Sequence, residues 1–164
     1  MTLDRTKRLL TLFYLFDSWQ EVNWQEIEDW IRVNPRTIKQ DLAFLRQAGL
    51  IRTKYNQTIK GYQSLPTKDV LAQFPEGKAQ RRYMERIIRI ARLIDSMECS
   101  WDDNLIDFYR EHYPNISDRT RQRNFNLLRE MGFTIYYTPA EYEFPGHWSY
   151  KCLGYAGPYH QENI

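Results

Sequence analysis

Cysteine is scarce in this chain: Cys99 and Cys152 stand alone among 164 residues, and neither belongs to a CxxC pair. That excludes a disulfide framework. The remaining soft or imidazole donors are His112, His147 and His160, scattered at no finger-like spacing, so no structural zinc is expected and the thiols read as reduced groups in a reducing compartment. Long apolar runs are also missing. No window approaches the ~18 to 20 unbroken apolar residues that a membrane span requires. The first residues place Asp4, Arg5, Lys7 and Arg8 before a short apolar run without a small-residue cleavage site, which sets a signal peptide aside and points to the cytoplasm. Glycine is sparse too, at seven residues. No phosphate-binding glycine loop, HExxH or GxSxG occurs. Glu141, Glu143 and His147 lie close together, but on a hairpin tip such residues read as solvated side chains. No enzyme, catalytic residue, metal or cofactor is expected.

Aromatic residues are plentiful. Twelve Tyr, eight Phe and five Trp make up 15% of the chain, enough apolar surface to argue against disorder over most of its length. The size allows one full domain or two small ones. The formal charge is only +2, yet the charges are segregated. Residues 78 to 92 hold Lys78, Arg81, Arg82, Arg86, Arg89 and Arg92 against Glu85 alone. Residues 95 to 111 reverse this, with Asp95, Glu98, Asp102, Asp103, Asp107 and Glu111 against Arg110. Residues 117 to 129 return to positive with Arg119, Arg121, Arg123 and Arg129 against Asp118.

A repeat organises these blocks. Arg8-Leu9-Leu10, Leu12, Leu15, Phe16, Asp17 and Ser18 match Arg86-Ile87-Ile88, Ile90, Leu93, Ile94, Asp95 and Ser96 at a constant offset of 78. The same offset carries Ile27 to Leu105 and Trp30 to Phe108. An insertion of five then shifts it to 83, where Arg36, Thr37, Leu45, Arg46 and Gly49 meet Arg119, Thr120, Leu128, Arg129 and Gly132. Two copies of one module follow: a first domain at residues 1–66, a linker at 67–77 with one turn of helix at 70 to 74, and a second domain at 78–164.

Each copy reads as three helices and a β-hairpin, an α+β chain that is mainly helical. In the first, residues 4 to 18 and 24 to 31 show helical apolar spacing. A third helix is opened by Asn34 as cap and Pro35, and closed by Gly49. Ile38, Leu42 and Leu45 form its buried stripe, leaving Arg36, Thr37, Lys39 and Gln40 on the other side. Strands at 50 to 54 and 62 to 65 close the copy. The second copy places helices at about 80 to 97, 102 to 112 and 117 to 131, with a hairpin pairing 133 to 137 with 148 to 153.

The segment Asn34-Pro35-Arg36-Thr37-Ile38-Lys39-Gln40-Asp41-Leu42, followed by Leu45, Gly49-Leu50-Ile51 and the exit Gly61-Tyr62 with Leu65, resembles the winged helix-turn-helix of the DeoR-type transcriptional regulators. The resemblance covers about residues 4 to 66, with a weaker echo in the second copy. It implies a winged helix whose third helix is a recognition helix for double-stranded DNA, with a Gly-Tyr pair that ends the wing; the repeat extends this expectation to tandem winged helices. The residue chemistry agrees. A major groove about 12 Å wide admits one helix, which needs donors on its opening turns and an apolar back. Arg36 and Lys39 suit phosphates or guanine edges, Gln40 suits adenine, and Thr37 suits a phosphate or a thymine methyl. Arg52, Lys54 and Lys60 beside Asn56-Gln57-Thr58 suit a wing on the backbone or minor groove.

The second copy departs from this pattern. Arg121 replaces the buried Ile38, reducing the stripe to Phe125 and Leu128, while Arg119, Thr120, Arg121, Gln122 and Arg123 give a more basic outer face. Its wing carries Glu141 and Glu143 among Tyr142, Phe144 and Trp148, which would repel phosphate. This copy either binds DNA through its third helix or forms a homodimer surface. The arginines at 82, 86 and 89 contact phosphate or pair with Asp102, Asp103 and Asp107, the second being favoured. The expected function is a sequence-specific DNA-binding transcriptional regulator, cytoplasmic and nucleoid-associated. The alternatives are a plasmid or phage replication initiator or accessory protein, and a protein-interaction module of a chromosome-associated complex.

Overall fold

In a computed structural model, residues 3–99, 105–138 and 149–155 are described, and the chain is mainly helical with small antiparallel sheets, an α+β architecture as expected. It divides into two compact units, 1–92 and 93–164.

In the first unit, α1 (Arg5–Ser18) starts where the Asp4 carboxylate accepts from the Lys7 N–H at 2.9 Å. Its Leu9, Leu12, Phe13, Leu15 and Phe16 are all buried. The second helix, α2 (Trp24–Ile31), opens on a reciprocal cap: Asn23 Oδ1 accepts from the Glu26 N–H at 2.9 Å, and Glu26 Oε2 accepts from the Asn23 N–H at 2.8 Å. In α3 (Pro35–Gln47), Asn34 Oδ1 accepts from the Thr37 N–H at 2.9 Å, and Gly49 leaves the helix with φ 71°. Ile38, Leu42 and Leu45 recur at helical spacing and are fully buried, so they anchor α3 to the core.

Three strands follow one another across a sheet in the order β1 (Glu21–Asn23), β3 (Gly61–Ser64), β2 (Thr53–Asn56), all antiparallel. The hairpin was expected, with its first strand beginning at 50; β1 was not. Three residues carry no readable alternation, and β1 exists because Gly61 lets it come close. A Cβ on Gly61 would lie 2.3 Å from the Val22 carbonyl oxygen. The Gly-Tyr exit of the hairpin therefore has a steric cause.

The stretch 67–77 forms no helix at 70–74. A turn closes there instead, with the Val70 N–H donating to the Thr67 carbonyl at 3.0 Å. Gln73 N–H donates to the Gln47 carbonyl at 2.8 Å, Gln47 Nε2 returns a bond to the Gln73 carbonyl at 2.9 Å, and the Val70 to Ala72 backbone runs past Gly49. Beyond it α4 (Lys78–Cys99) packs its first turns on the same unit. Tyr83 shares a hydrogen bond with Thr6 at 3.0 Å and meets Phe44 edge-on at 5.8 Å, and the Arg5 guanidinium lies over both rings. The division at 92/93 falls inside α4.

The second unit holds the end of α4, then α5 (Leu105–His112), α6 (Asp118–Met131), β4 (Phe133–Thr138) and β5 (Ser149–Tyr155). Its core contains Leu105, Tyr109, Phe125, Leu128, Met131 and Phe133. Ser117 Oγ accepts from the Thr120 N–H at 3.2 Å to open α6, and Gly132, φ 109°, closes it. The strands β4 and β5 pair antiparallel, with a register shift between Phe133 and Ile135. Among the described residues, no helix is long and apolar enough to cross a membrane.

Candidate nucleic-acid interface

The cap at Asn34 aims the first turns of α3 outward. Arg36, Lys39 and Gln40 are exposed, while Thr37 is half-buried with its N–H engaged by the cap. Arg36, Gln40 and Ala43 fall at i, i+4 and i+7, which places them on one outward stripe. Ala43, exposed and small, belongs to this stripe and was missed because it carries no polar group.

On the flank facing the sheet, Lys39 Nζ lies 5.9 Å over the Trp24 ring. One helical repeat further on, Arg46 lies 5.4 Å over Tyr62 and donates from Nε to Thr53 Oγ1 at 2.9 Å. Rings continue the contact outward: Trp24 to Tyr62 at 6.0 Å and Tyr62 to Tyr55 at 5.5 Å. Cation–π contacts of this kind hold long cationic side chains in place at about 0.5–1 kcal/mol each on an exposed surface. Arg46 was also missed. Its partners come from the hairpin, so sequence spacing offered only its place seven residues after Lys39.

The hairpin splits the remaining candidates. Tyr55 pairs with Tyr62 and Tyr62 with buried Val22, which makes theirs the inward face. Lys54 pairs with Gln63, and Gln63 with Glu21, on the opposite face. Arg52, Lys54 and Lys60 are exposed. Lys60 has a left-handed φ of 51°, and its carbonyl accepts from the Trp24 N–H at 3.0 Å. Arg46 and Lys54 therefore stand on different faces of the ribbon.

Behind the outward stripe, Asp41 is buried and receives a forked pair of bonds from Arg8 of α1, one from Nε and one from Nη2 at 3.2 Å. This hydrogen bonding raises the Arg8 guanidinium above its usual pKa, against the opposing effect of burial. Removal of Asp41 would leave a poorly solvated cation beside the back of α3.

In the second unit Arg119, Gln122 and Arg123 are exposed, and Thr120 is half-buried with its hydroxyl 3.1 Å from that of Ser117. Arg121 does not stand with them. It is 9% exposed, pairs through Nη2 with Asp118 Oδ1 at 3.1 Å, and lies 6.0 Å over Phe125. The reason is periodicity: Arg121, Phe125 and Leu128 fall at i, i+4 and i+7 along the buried side. Arg121 is accordingly removed from the basic outer face. Asn124, fully inside, donates to the Tyr109 hydroxyl at 2.7 Å.

Glu141, Glu143 and His147 of the second hairpin, and Asp102 and Asp103, lie outside the described residues. Among the described residues no group of three or more His, Cys, Asp or Glu could hold a metal ion. Comparison with known proteins gives no match: no family model, no curated protein and no solved structure is similar to this chain.

Proposed function

We propose that the chain is a sequence-specific double-stranded DNA-binding protein acting as a transcriptional regulator, with the two copies of its repeat used as tandem winged helices. The observation that carries the reading is the outward stripe of α3. Arg36 and Gln40 stand exposed on its capped opening turns, and its back is held by Ile38, Leu42, Leu45 and the Arg8–Asp41 pair. Arginine offers two parallel donors to guanine O6 and N7, and glutamine matches adenine N6 and N7; each such pair discriminates by about 1–3 kcal/mol. Lys39 and Arg46, steadied on aromatic faces, suit the flanking phosphates, and the exposed Lys54 and Lys60 suit a wing on the backbone. Arg119, Gln122 and Arg123 give α6 a second, smaller set.

Selection of bound fragments from a random duplex pool, followed by anisotropy titrations on the recovered sequence, tests this. The expected result is one enriched motif and an affinity that falls steeply with salt, with a log–log slope of about −0.9 per phosphate contacted. Absence of binding to any duplex at ~50 mM salt would sink the proposal.

A further inference from the structure

The basic residues of α4 take no part in the interface described above. At 3.6 residues per turn, Lys78, Arg82, Arg89 and Arg92 share one sector of the helix, with Arg81 and Arg86 at its margins. The opposite side, Met84, Ile87, Ala91 and Ile94, is buried. Among the described residues the only ion pair within this stripe is the exposed one from Arg81 to Glu85 at 3.2 Å; Arg82, Arg86, Arg89 and Arg92 make none. Asp102 and Asp103, two of the three carboxylates expected to pair with these arginines, lie outside the described residues, and Arg89, half-buried, keeps its Nε–H out of solvent without a hydrogen-bond partner.

The repeat supplies an internal control. An offset of 78 places Asp4, Thr11 and Tyr14 at the positions of Arg82, Arg89 and Arg92. There Thr11 is buried and donates to the Lys7 carbonyl at 2.8 Å, while Tyr14 stacks on Trp30 at 6.2 Å. Arg86, by contrast, matches Arg8, which is paired with Asp41; at the other three positions α1 packs without arginine.

We infer that this stripe is a second phosphate-contact surface for duplex DNA; the inference rests on the duplex-binding reading above. From Lys78 to Arg92 the helix extends about 21 Å at ~1.5 Å per residue. A duplex presents one negative charge per ~1.7 Å of axis, so several phosphates fit against that length. A lipid surface is a poorer occupant, because an interfacial helix must insert an apolar face and that of α4 is already buried. The contacts assigned to the stripe are to phosphates. They add affinity and salt dependence without sequence preference.

The test uses the full chain carrying Arg82→Gln and Arg92→Gln, both exposed, so that folding is not at stake. Anisotropy with a labelled duplex containing the selected site is recorded across a KCl series, beside a scrambled duplex. The expected slope is shallower by about 1.8, the affinity at ~0.1 M salt roughly 10- to 60-fold weaker, and the ratio of selected to scrambled binding unchanged. Arg82→Lys with Arg92→Lys restores the slope. An unchanged slope and affinity in the glutamine pair overturns the inference while leaving duplex binding intact. A wild-type chain that binds no duplex overturns both. Loss of binding to anionic vesicles or an acidic polypeptide, with the duplex slope unmoved, overturns it in favour of that partner.

Discussion

Helices α3 and α6 are built to one plan and filled differently. Each opens on a side-chain cap, Asn34 or Ser117, and each ends on a left-handed glycine, Gly49 or Gly132. Position for position, Leu42 and Leu45 are matched by Phe125 and Leu128, all buried. The differences lie at two inner positions. Ile38 is exchanged for Arg121, and Asp41, paired with Arg8, for Asn124, bonded to Tyr109. A buried polar position thus survives as long as it has a partner, whether ionic or neutral. An arginine taken inside is also an arginine lost to the outer face, so counting cations along α6 overstates what it offers a ligand.

The comparison is most readily broken at the buried polar positions. Asp41→Ala should destabilise the first unit by about 3–5 kcal/mol, because it strands Arg8 beside the core. Asn124→Ala should cost the second about 1–3 kcal/mol, the loss of a neutral bond. Urea unfolding followed by circular dichroism measures both, and equal losses would contradict the distinction. Gly61→Ala should cost the first unit roughly 2 kcal/mol or more by forcing β1 away from β3, read from the same unfolding curves. Arg36→Ala with Gln40→Ala should cut the preference for the selected site over a scrambled one by about 1–3 kcal/mol per residue in competition binding. Smallest of all, Arg121→Met should change stability by no more than about 1 kcal/mol and leave the salt slope of duplex binding alone. Arg123→Gln should lower that slope by about 0.9, and the reverse ordering of these two variants would refute the inward placement of Arg121.

Much of this was legible in the sequence. Apolar spacing marked the helices, and Asn34, Pro35 and Gly49 marked the ends of α3, because local propensity and core burial agree there. Arg121 was legible too, from its spacing to Phe125 and Leu128, but its charge argued for the surface and periodicity prevailed. Other features needed the fold. Arg8 and Asp41 are 33 residues apart, β1 has only three residues and no pattern, and the seats of Lys39 and Arg46 on Trp24 and Tyr62 depend on how the sheet meets α3. Residues 67–77 read as a tether because Pro66, Pro75 and Gly77 frame them, yet backbone bonds to Gln47 hold them against α3.

That attachment bears on where the polypeptide can be divided. A fragment ending at residue 66 would lose the bonds between Gln47 and Gln73 and the strand of backbone beside Gly49. It would also uncover Phe44 and leave Arg5 without Tyr83. Extension to residue 92 keeps every one of these contacts. The contacts of the first unit thus run past the end of the first copy, and limited proteolysis is expected to leave a protected core that reaches into α4.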